Sequence, residues 1–503
     1  MKIGLKIDSK YYGPVKGTLK VLLPEHIEIY KAAQAYDFDI IINTQLDTSD
    51  GIKVISEIVG DTSSKAEQRD IIKDKEILDS AVDGQDFEKR CRYRLKLSIY
   101  RLLCDYLDLE MSPWGILIGV RPTKLVHILL DKGLSYQQVD YRLQNIYGVN
   151  PEKRELLLNI VRRERKYIPT ASEARKKISI YLGVPFCPTK CDYCSFASYP
   201  LKEYGEYVSD FLAALQYEIE SIGQVVRDLN LKVDTVYIGG GTPTVLSAEE
   251  LEEIIKKIKS SFAITGDDLR EFMVEAGRPD TINEKKLRVL KQEKVGRISI
   301  NPQTMQQKTL NKIGRDHTVK DVVQAYKLAR KMNFANINMD LIVGLPGEGK
   351  EELQLTLEEI QDLQPDSLTV HTLAIKRAAN LSKEQSGLST ASAAKINKML
   401  NLTQKTAEKL GLVPYYMYRQ KSPLGNFENI GYSKPGQESI YNILMMEERE
   451  IIIALGGGGV TKLVDSNDWS LEREINPKFP VQYIKEVEER TQRKIDKLTT
   501  LLR

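Results

Sequence analysis

The sequence predicts an α/β protein built round an incomplete parallel barrel of six strand–helix units. An α+β region precedes the barrel and a mainly helical region follows it. Two observations carry this expectation. Between Ile178 and Leu373, short β-branched runs alternate with amphipathic stretches, the pattern of parallel βαβ units. Six such units fall short of the eight that close a complete barrel. The chain of 503 residues is also long enough for two to four separate cores.

The elements follow in order. Residues 1 to about 65 read as a small strand-rich unit, because Phe38–Thr44 and Val54–Val59 are β-branched runs separated by Asp and Gly. Residues 66–176 read as a helical extension and linker. Leu95, Ile99, Leu102 and Leu103 stand at helical spacing within a stretch from Gln85 to Leu109. The Gly and Pro of Trp114–Pro122 interrupt the helical pattern, and a charged stretch from Arg162 to Lys177 reads as a linker. The barrel then occupies 177–392. Its strands are expected at Ile178–Val184, Thr235–Ile238, Glu271–Glu275, Arg297–Ile300, Asn336–Val343 and Ser367–Leu373. Helices are expected at 203–226, 248–260, 319–332 and 350–362. The remainder, 393–503, is mostly helical in pattern, broken at Gly456–Gly459.

The charges nearly balance, 73 basic against 70 acidic for a net +3, which argues against a surface that generally coats nucleic acid. The N-terminus shows no apolar secretory core, and the longest apolar runs, Trp114–Val120 and Ile451–Leu455, are far too short to span a bilayer. A cytoplasmic protein is expected. Three of the five cysteines fall within eight residues, and in a reducing compartment such clustering points to metal rather than disulfides.

Those three lie in Tyr181-Leu-Gly-Val-Pro-Phe-Cys187-Pro-Thr-Lys-Cys191-Asp-Tyr-Cys194, at the end of the first predicted barrel strand. Three thiolates at this spacing can wrap three corners of a [4Fe–4S] cubane, leaving the fourth iron open to an external ligand. Structural zinc normally takes four ligands, and the loop holds neither a fourth cysteine nor a histidine. The amino and carboxylate groups of S-adenosylmethionine (SAM) would fill the open position. One electron from the cluster would then cleave the sulfonium to a 5′-deoxyadenosyl radical. Cys91 and Cys104 read as buried structural thiols.

Gly239-Gly-Gly-Thr-Pro-Thr244 follows the second strand, where missing Cβ atoms let backbone groups approach a ligand closely. It is a candidate for holding the methionine part of SAM. Glu275, Gln303, Arg315 and Asp340 recur at successive strand ends. Such a set offers a carboxylate for ribose hydroxyls, and an amide and a guanidinium for the adenosine and carboxylate.

These motifs resemble the oxygen-independent coproporphyrinogen III oxidase family, the HemN-like radical SAM proteins, and within them the longer HemZ type. The resemblance rests on Tyr181-x5-Cys187-x3-Cys191-x2-Cys194, on 239–244, on Gln303 with Arg315 twelve residues on, and on Asp340-Leu-Ile-Val-Gly-Leu-Pro346. Trp114-Gly-x4-Val-Arg-Pro-x-Lys124, Val370–Arg377, Tyr415–Gln420 and Gly456–Gly459 resemble the HemZ type in particular. The resemblance implies a partial (β/α)6 radical SAM barrel with a HemN-like C-terminal domain. It also implies that Tyr181, Tyr193, Gly240, Gly241, Thr242, Glu275, Gln303, Arg315, Asp340 and Ala374 line the SAM site. The implied reaction removes hydrogen and CO2 from two propionates of coproporphyrinogen III, giving the vinyl groups of protoporphyrinogen IX. It would need an electron donor of the reductase or flavodoxin/ferredoxin type.

One position departs from the pattern. Relatives best linked to this oxidation carry a further cysteine two residues after the third, and here Phe196 stands there. The phenylalanine form resembles the haem-chaperone and haem-degrading relatives as well as the HemZ type, and a haem-binding chaperone or carrier is the second reading. His371, near the barrel mouth, reads as a hydrogen-bonded histidine rather than a haem-iron ligand, and Lys376 and Arg377 after the last barrel strand read either as partners of substrate propionates or as solvated surface cations. The basic run Lys89–Lys96 reads as the exposed side of an amphipathic helix rather than an RNA-binding face.

Overall fold

A computed structural model describes residues 1–32, 37–49, 51–59, 69–74, 84–265, 268–373, 393–419 and 427–502. The chain forms two compact units, one built on Met1–Val161 and the other on Arg162–Tyr418 with Phe427–Arg503.

The first unit centres on a sheet of five strands: β1 (Lys2–Lys6), β2 (Glu28–Lys31), β3 (Ile40–Asp47), β4 (Ile52–Val59) and β5 (Arg69–Asp74). Their order is β2-β1-β3-β4-β5, parallel around β1 and antiparallel from β3 to β5. The helix Gly84–Leu107 packs against β3, β4 and β5. Leu95, Ile99, Leu102 and Leu103 are buried on it, the face that helical spacing predicts. Strands and helix therefore share one core, although their sequence patterns look separate.

A helix at Ser9–Leu22 was not foreseen, because Gly13, Pro14 and Gly17 disguise it. Asp8 caps it by accepting from the Lys10 amide, and Tyr11, Val15, Thr18 and Leu19 supply its buried stripe. Within Lys89–Lys96, Arg94 is buried and donates to the Asn145 carbonyl, so the run is not one exposed stripe. Cys91 and Cys104 are both buried. Burial pushes the Cys104 thiol up to about 11. The break at Trp114–Val120 has a steric cause at Gly115 (φ +53°), where an added Cβ would clash with the Tyr147 carbonyl oxygen.

The second unit holds the barrel. Its six parallel strands are β6 (Lys177–Val184), β9 (Lys232–Gly240), β10 (Glu271–Glu275), β11 (Arg297–Ser299), β12 (Asn336–Val343) and β13 (Ser367–Thr372). They lie side by side in chain order. A short ribbon of β7 (Phe186–Cys187) and β8 (Tyr199–Pro200) follows β6. The connecting helices include Val208–Asp228, Ala248–Ser261, Val319–Lys331 and Lys350–Leu363. Ser247 and Thr318 close capping boxes at the starts of Ala248–Ser261 and Val319–Lys331, and Asn283 caps a further helix, Glu284–Gln292.

Helices hold more of the C-terminal region than strands do, yet five strands there join the barrel sheet, and the sequence pattern did not indicate them. They are β14 (Val413–Arg419), β15 (Glu428–Ser433), β16 (Ile451–Gly456), β17 (Val460–Val464) and β18 (Leu471–Ile475). β15 runs antiparallel beside β13, and β16 runs parallel beside β6. The sheet therefore continues past both edges of the six-strand barrel, leaving neither β6 nor β13 as a bare edge.

Candidate active site

The site is built where the parallel strands end. After β6 the chain makes the cysteine loop, whose two ends are tied by the β7–β8 pairing and by the Tyr199 amide donating to the Pro185 carbonyl at 2.9 Å. Inside it the Cys194 amide donates to the Cys191 carbonyl at 3.0 Å, and the Asp192 amide to the Ile313 carbonyl at 3.1 Å. Cys187 and Cys191 are buried and Cys194 is half-buried. Burial raises the Cys187 and Cys194 thiols, the latter to about 11.

The glycine loop after β9 lies directly against this loop. The Gly241 amide donates to the Val184 carbonyl and the Thr242 amide to the Phe186 carbonyl, both at 2.8 Å. The Thr242 hydroxyl stands 3.4 Å from Cys187 Sγ. A Cβ on Gly241 would meet the Phe186 oxygen at 2.5 Å and Cys187 Sγ at 2.9 Å. Only glycine lets the two loops close to this distance.

β10 ends in Glu275, which accepts from the Tyr237 hydroxyl. Burial and the neighbouring Asp340 charge raise its carboxyl to about 7. Tyr237, Tyr181 and Tyr441 form a three-ring cluster, the Tyr237 centroid 6.0 Å from Tyr181 and 4.5 Å from Tyr441 and those two 6.3 Å apart, all in stacked arrangements. Tyr181 and Glu275 are among the residues expected at this face, whereas Tyr237 and Tyr441 beside them are not. Tyr237 shares a strand with the glycine loop, so its placement was readable. Tyr441 comes from a short C-terminal helix, Ile440–Glu447, and left no local signal.

On the other side, Gln303 adopts φ +67° and is pinned to β12: its amide donates to the Asp340 carbonyl and its carbonyl accepts from Ile342, each at 2.9 Å. A glutamine there costs about 1 kcal/mol or more, and its buried Oε1 has no hydrogen-bond partner among the described residues. Arg315 is buried, donates to the carbonyls of Asn301 and Pro302, and interacts with Cys191 and Tyr193. Tyr193 packs on Ile313, Ile342, Leu345 and Leu373. Asp340 Oδ1 accepts from Asn338 at 2.7 Å, and Oδ2 lies 3.8 Å from His371 Nε2. His371 Nδ1 in turn contacts the Tyr418 hydroxyl at 3.1 Å. Gly241, Thr242 and Tyr193 thus meet the cysteines and Gly240 lies against Val184 at the end of β6, while Glu275, Gln303, Arg315, Asp340 and His371 ring the same strand ends. Ala374, Lys376 and Arg377 lie outside the described residues. Arg278, which the sequence reading passed over, also reaches this face: its Nη1 is 3.8 Å from Cys191 Sγ. Phe196 is 71% exposed beside the loop.

This donor set fits an iron–sulfur cluster that accepts a further ligand. It offers three thiols, a glycine surface held against one of them, and a buried amide oxygen and guanidinium facing the same region. The radical SAM superfamily matches residues 181–360. The oxygen-independent coproporphyrinogen-III oxidase-like protein HemZ of Bacillus subtilis is 44% identical over 382 residues, covering 76% of each chain. This chain belongs to the radical SAM superfamily, within the oxygen-independent coproporphyrinogen-III oxidase-like family. A [4Fe–4S] cluster and SAM are the cofactors of this radical SAM family. The haem chaperone HemW of Lactococcus lactis is 30% identical, covering 57% of this chain and 70% of its own. Among solved structures, the radical SAM enzyme coproporphyrinogen III oxidase from Escherichia coli has a TM-score of 0.48 at 21% identity, covering 64% of this chain and 71% of its own. No helix among the described residues is long and apolar enough to cross a membrane.

Proposed function

We propose that this radical SAM protein removes one hydrogen atom and CO2 from each of two propionates of coproporphyrinogen III in anaerobic haem synthesis, the electron released with each CO2 passing to a one-electron acceptor. The observation that carries the reading is the 44% identity to an oxidase-like relative over three quarters of both chains. Cys187, Cys191 and Cys194 hold three irons of the cluster. When bound, the cluster supplies the electron that cleaves SAM, which an unactivated C–H bond requires and acid–base side chains cannot replace.

The chain's own groups position and shield. Gly240, Gly241 and Thr242 present backbone and hydroxyl groups to the methionine part of SAM, and Glu275, steadied by Tyr237, accepts from the ribose. Gln303 Oε1 and Arg315 serve the adenosine and the carboxylate. Asp340, with Tyr181 and Tyr193, completes the lining. An electron donor of the reductase or flavodoxin/ferredoxin type feeds the site. The thiols that the cluster needs suit a reducing cytoplasm.

Anaerobic incubation of the reconstituted full chain with SAM, a reductant and coproporphyrinogen III tests this. Protoporphyrinogen IX and 5′-deoxyadenosine are expected, and absence of both overturns the reading. Phe196 favours a second reading, a haem-binding chaperone or carrier on the same scaffold. Its exposed ring stands where the oxidation pattern has a cysteine, and chaperone relatives share part of the chain. Stoichiometric haem binding with no porphyrinogen turnover would select it; no Soret band on titration would remove it.

A further inference from the structure

β10 leads through Ala276 and Gly277 into Arg278-Pro279-Asp280, a tight turn beside the cysteine loop. Arg278 is 3% exposed. Its Nε and Nη2 donate to the two carboxylate oxygens of Asp280 at 3.0 and 3.1 Å. Its Nη1 donates to Thr189 Oγ1 at 3.2 Å and reaches Cys191 Sγ at 3.8 Å. The turn does not depend on this pair for closure. The Arg278 carbonyl already accepts from the Thr281 amide at 3.0 Å and the Thr281 hydroxyl at 2.7 Å. The remaining face of the guanidinium is thus committed to the cysteine loop. On the far side of Asp280, His317 Nδ1 stands 3.7 Å away, fully buried. Burial and the two nearby guanidiniums push its pKa down to about 4, so it adds no charge near neutrality.

We propose that Arg278, oriented by Asp280, is a positioning residue that sets the reduction potential of the cluster through Cys191. An N–H pointed at a ligand sulfur, with a buried positive charge behind it, stabilises the added electron of the reduced cluster. Asp280 holds the fork in place and offsets part of that charge. The two residues therefore act on the potential with opposite signs. The inference rests on the three cysteines holding the cluster, and it is independent of the substrate.

The test is a redox titration of the anaerobically reconstituted full chain without SAM, followed by electron paramagnetic resonance, with iron and sulfide content measured alongside. Arg278→Met should lower the midpoint potential, so that the reduced-to-oxidised ratio falls about tenfold at the poise where the unaltered chain is half reduced. Asp280→Asn should shift it the other way, and Arg278→Lys should keep most of the unaltered value. Shifts of the same sign in Arg278→Met and Asp280→Asn, or none in either, overturn the proposal. If Arg278→Met holds no cluster, the opposed Asp280→Asn shift and the Arg278→Lys retention decide it. Failure of the unaltered chain to build a cubane overturns the cysteine assignment and this inference with it. A cluster of normal potential response with no porphyrinogen turnover overturns only the substrate reading.

Discussion

The two halves of the strand-end face are made differently. Around β6 and β9 the surface is mostly backbone and sulfur: Gly240 lies against Val184, Gly241 presses on Phe186 and Cys187, and Gly241 has no room for a Cβ. Around β11, β12 and β13 it is polar side chains holding one another, Asn338 on Asp340, Asp340 near His371, His371 on Tyr418. A backbone-built half tolerates little change in shape, whereas a side-chain-built half can lose one member and keep its outline. The first suits a rigid metal loop and the second an organic ligand.

Substitutions can break or sharpen that contrast. The largest effect is expected in the first half: Cys191→Ala should abolish cluster loading, read as loss of iron, sulfide and visible absorption. Behind this half, Glu218 is buried with Lys494 and accepts from the Gly456 amide at 2.7 Å and the Tyr483 hydroxyl at 2.7 Å. The Gly457 amide in turn donates to the Gly183 carbonyl at 2.9 Å at the end of β6. Lys494→Met would strand the Glu218 carboxylate and should cost about 3–5 kcal/mol in denaturant unfolding.

At the border between the halves, the raised Glu275 carboxyl gives a stability signature with a definite sign. The folded chain holds a proton there up to about pH 7 that the unfolded chain releases near its ordinary carboxylate pKa. The ionised form therefore costs stability above pH 7, and the cost fades as pH falls below 7 towards 4.5. Cofactor-free Glu275→Gln should be more stable than the unaltered chain at pH 8, by up to about 3 kcal/mol, and equal to it at pH 4.5. Gly241→Ala should cost about 1–3 kcal/mol and reduce cluster loading, since a backbone oxygen cannot move aside as a side chain would. The mildest change belongs to the second half: Asp340→Asn should leave the cluster intact and weaken SAM binding about tenfold, the worth of one charge-assisted hydrogen bond, by calorimetric titration.

The same division explains what could be read from the sequence. Cysteine spacing, the glycine run and the ends of β10 and β12 are local features, and the structure places them as the pattern indicates. Partners supplied by distant segments left no such trace. Tyr441 and Tyr418 reach the face from beyond the barrel. The apolar run that forms β16 is too short for periodicity to distinguish strand from helix. The helix at Ser9–Leu22 hides behind residues that usually break helices, and it forms because four buried side chains on one face outweigh them.

The most direct test of the whole account is the electron paramagnetic resonance spectrum of the reduced, reconstituted full chain with and without SAM. A single [4Fe–4S] signal that changes on adding SAM, and that disappears when Cys187, Cys191 and Cys194 are replaced together by alanine, is the predicted result. A cluster signal indifferent to SAM, or one that survives the triple replacement, would contradict it.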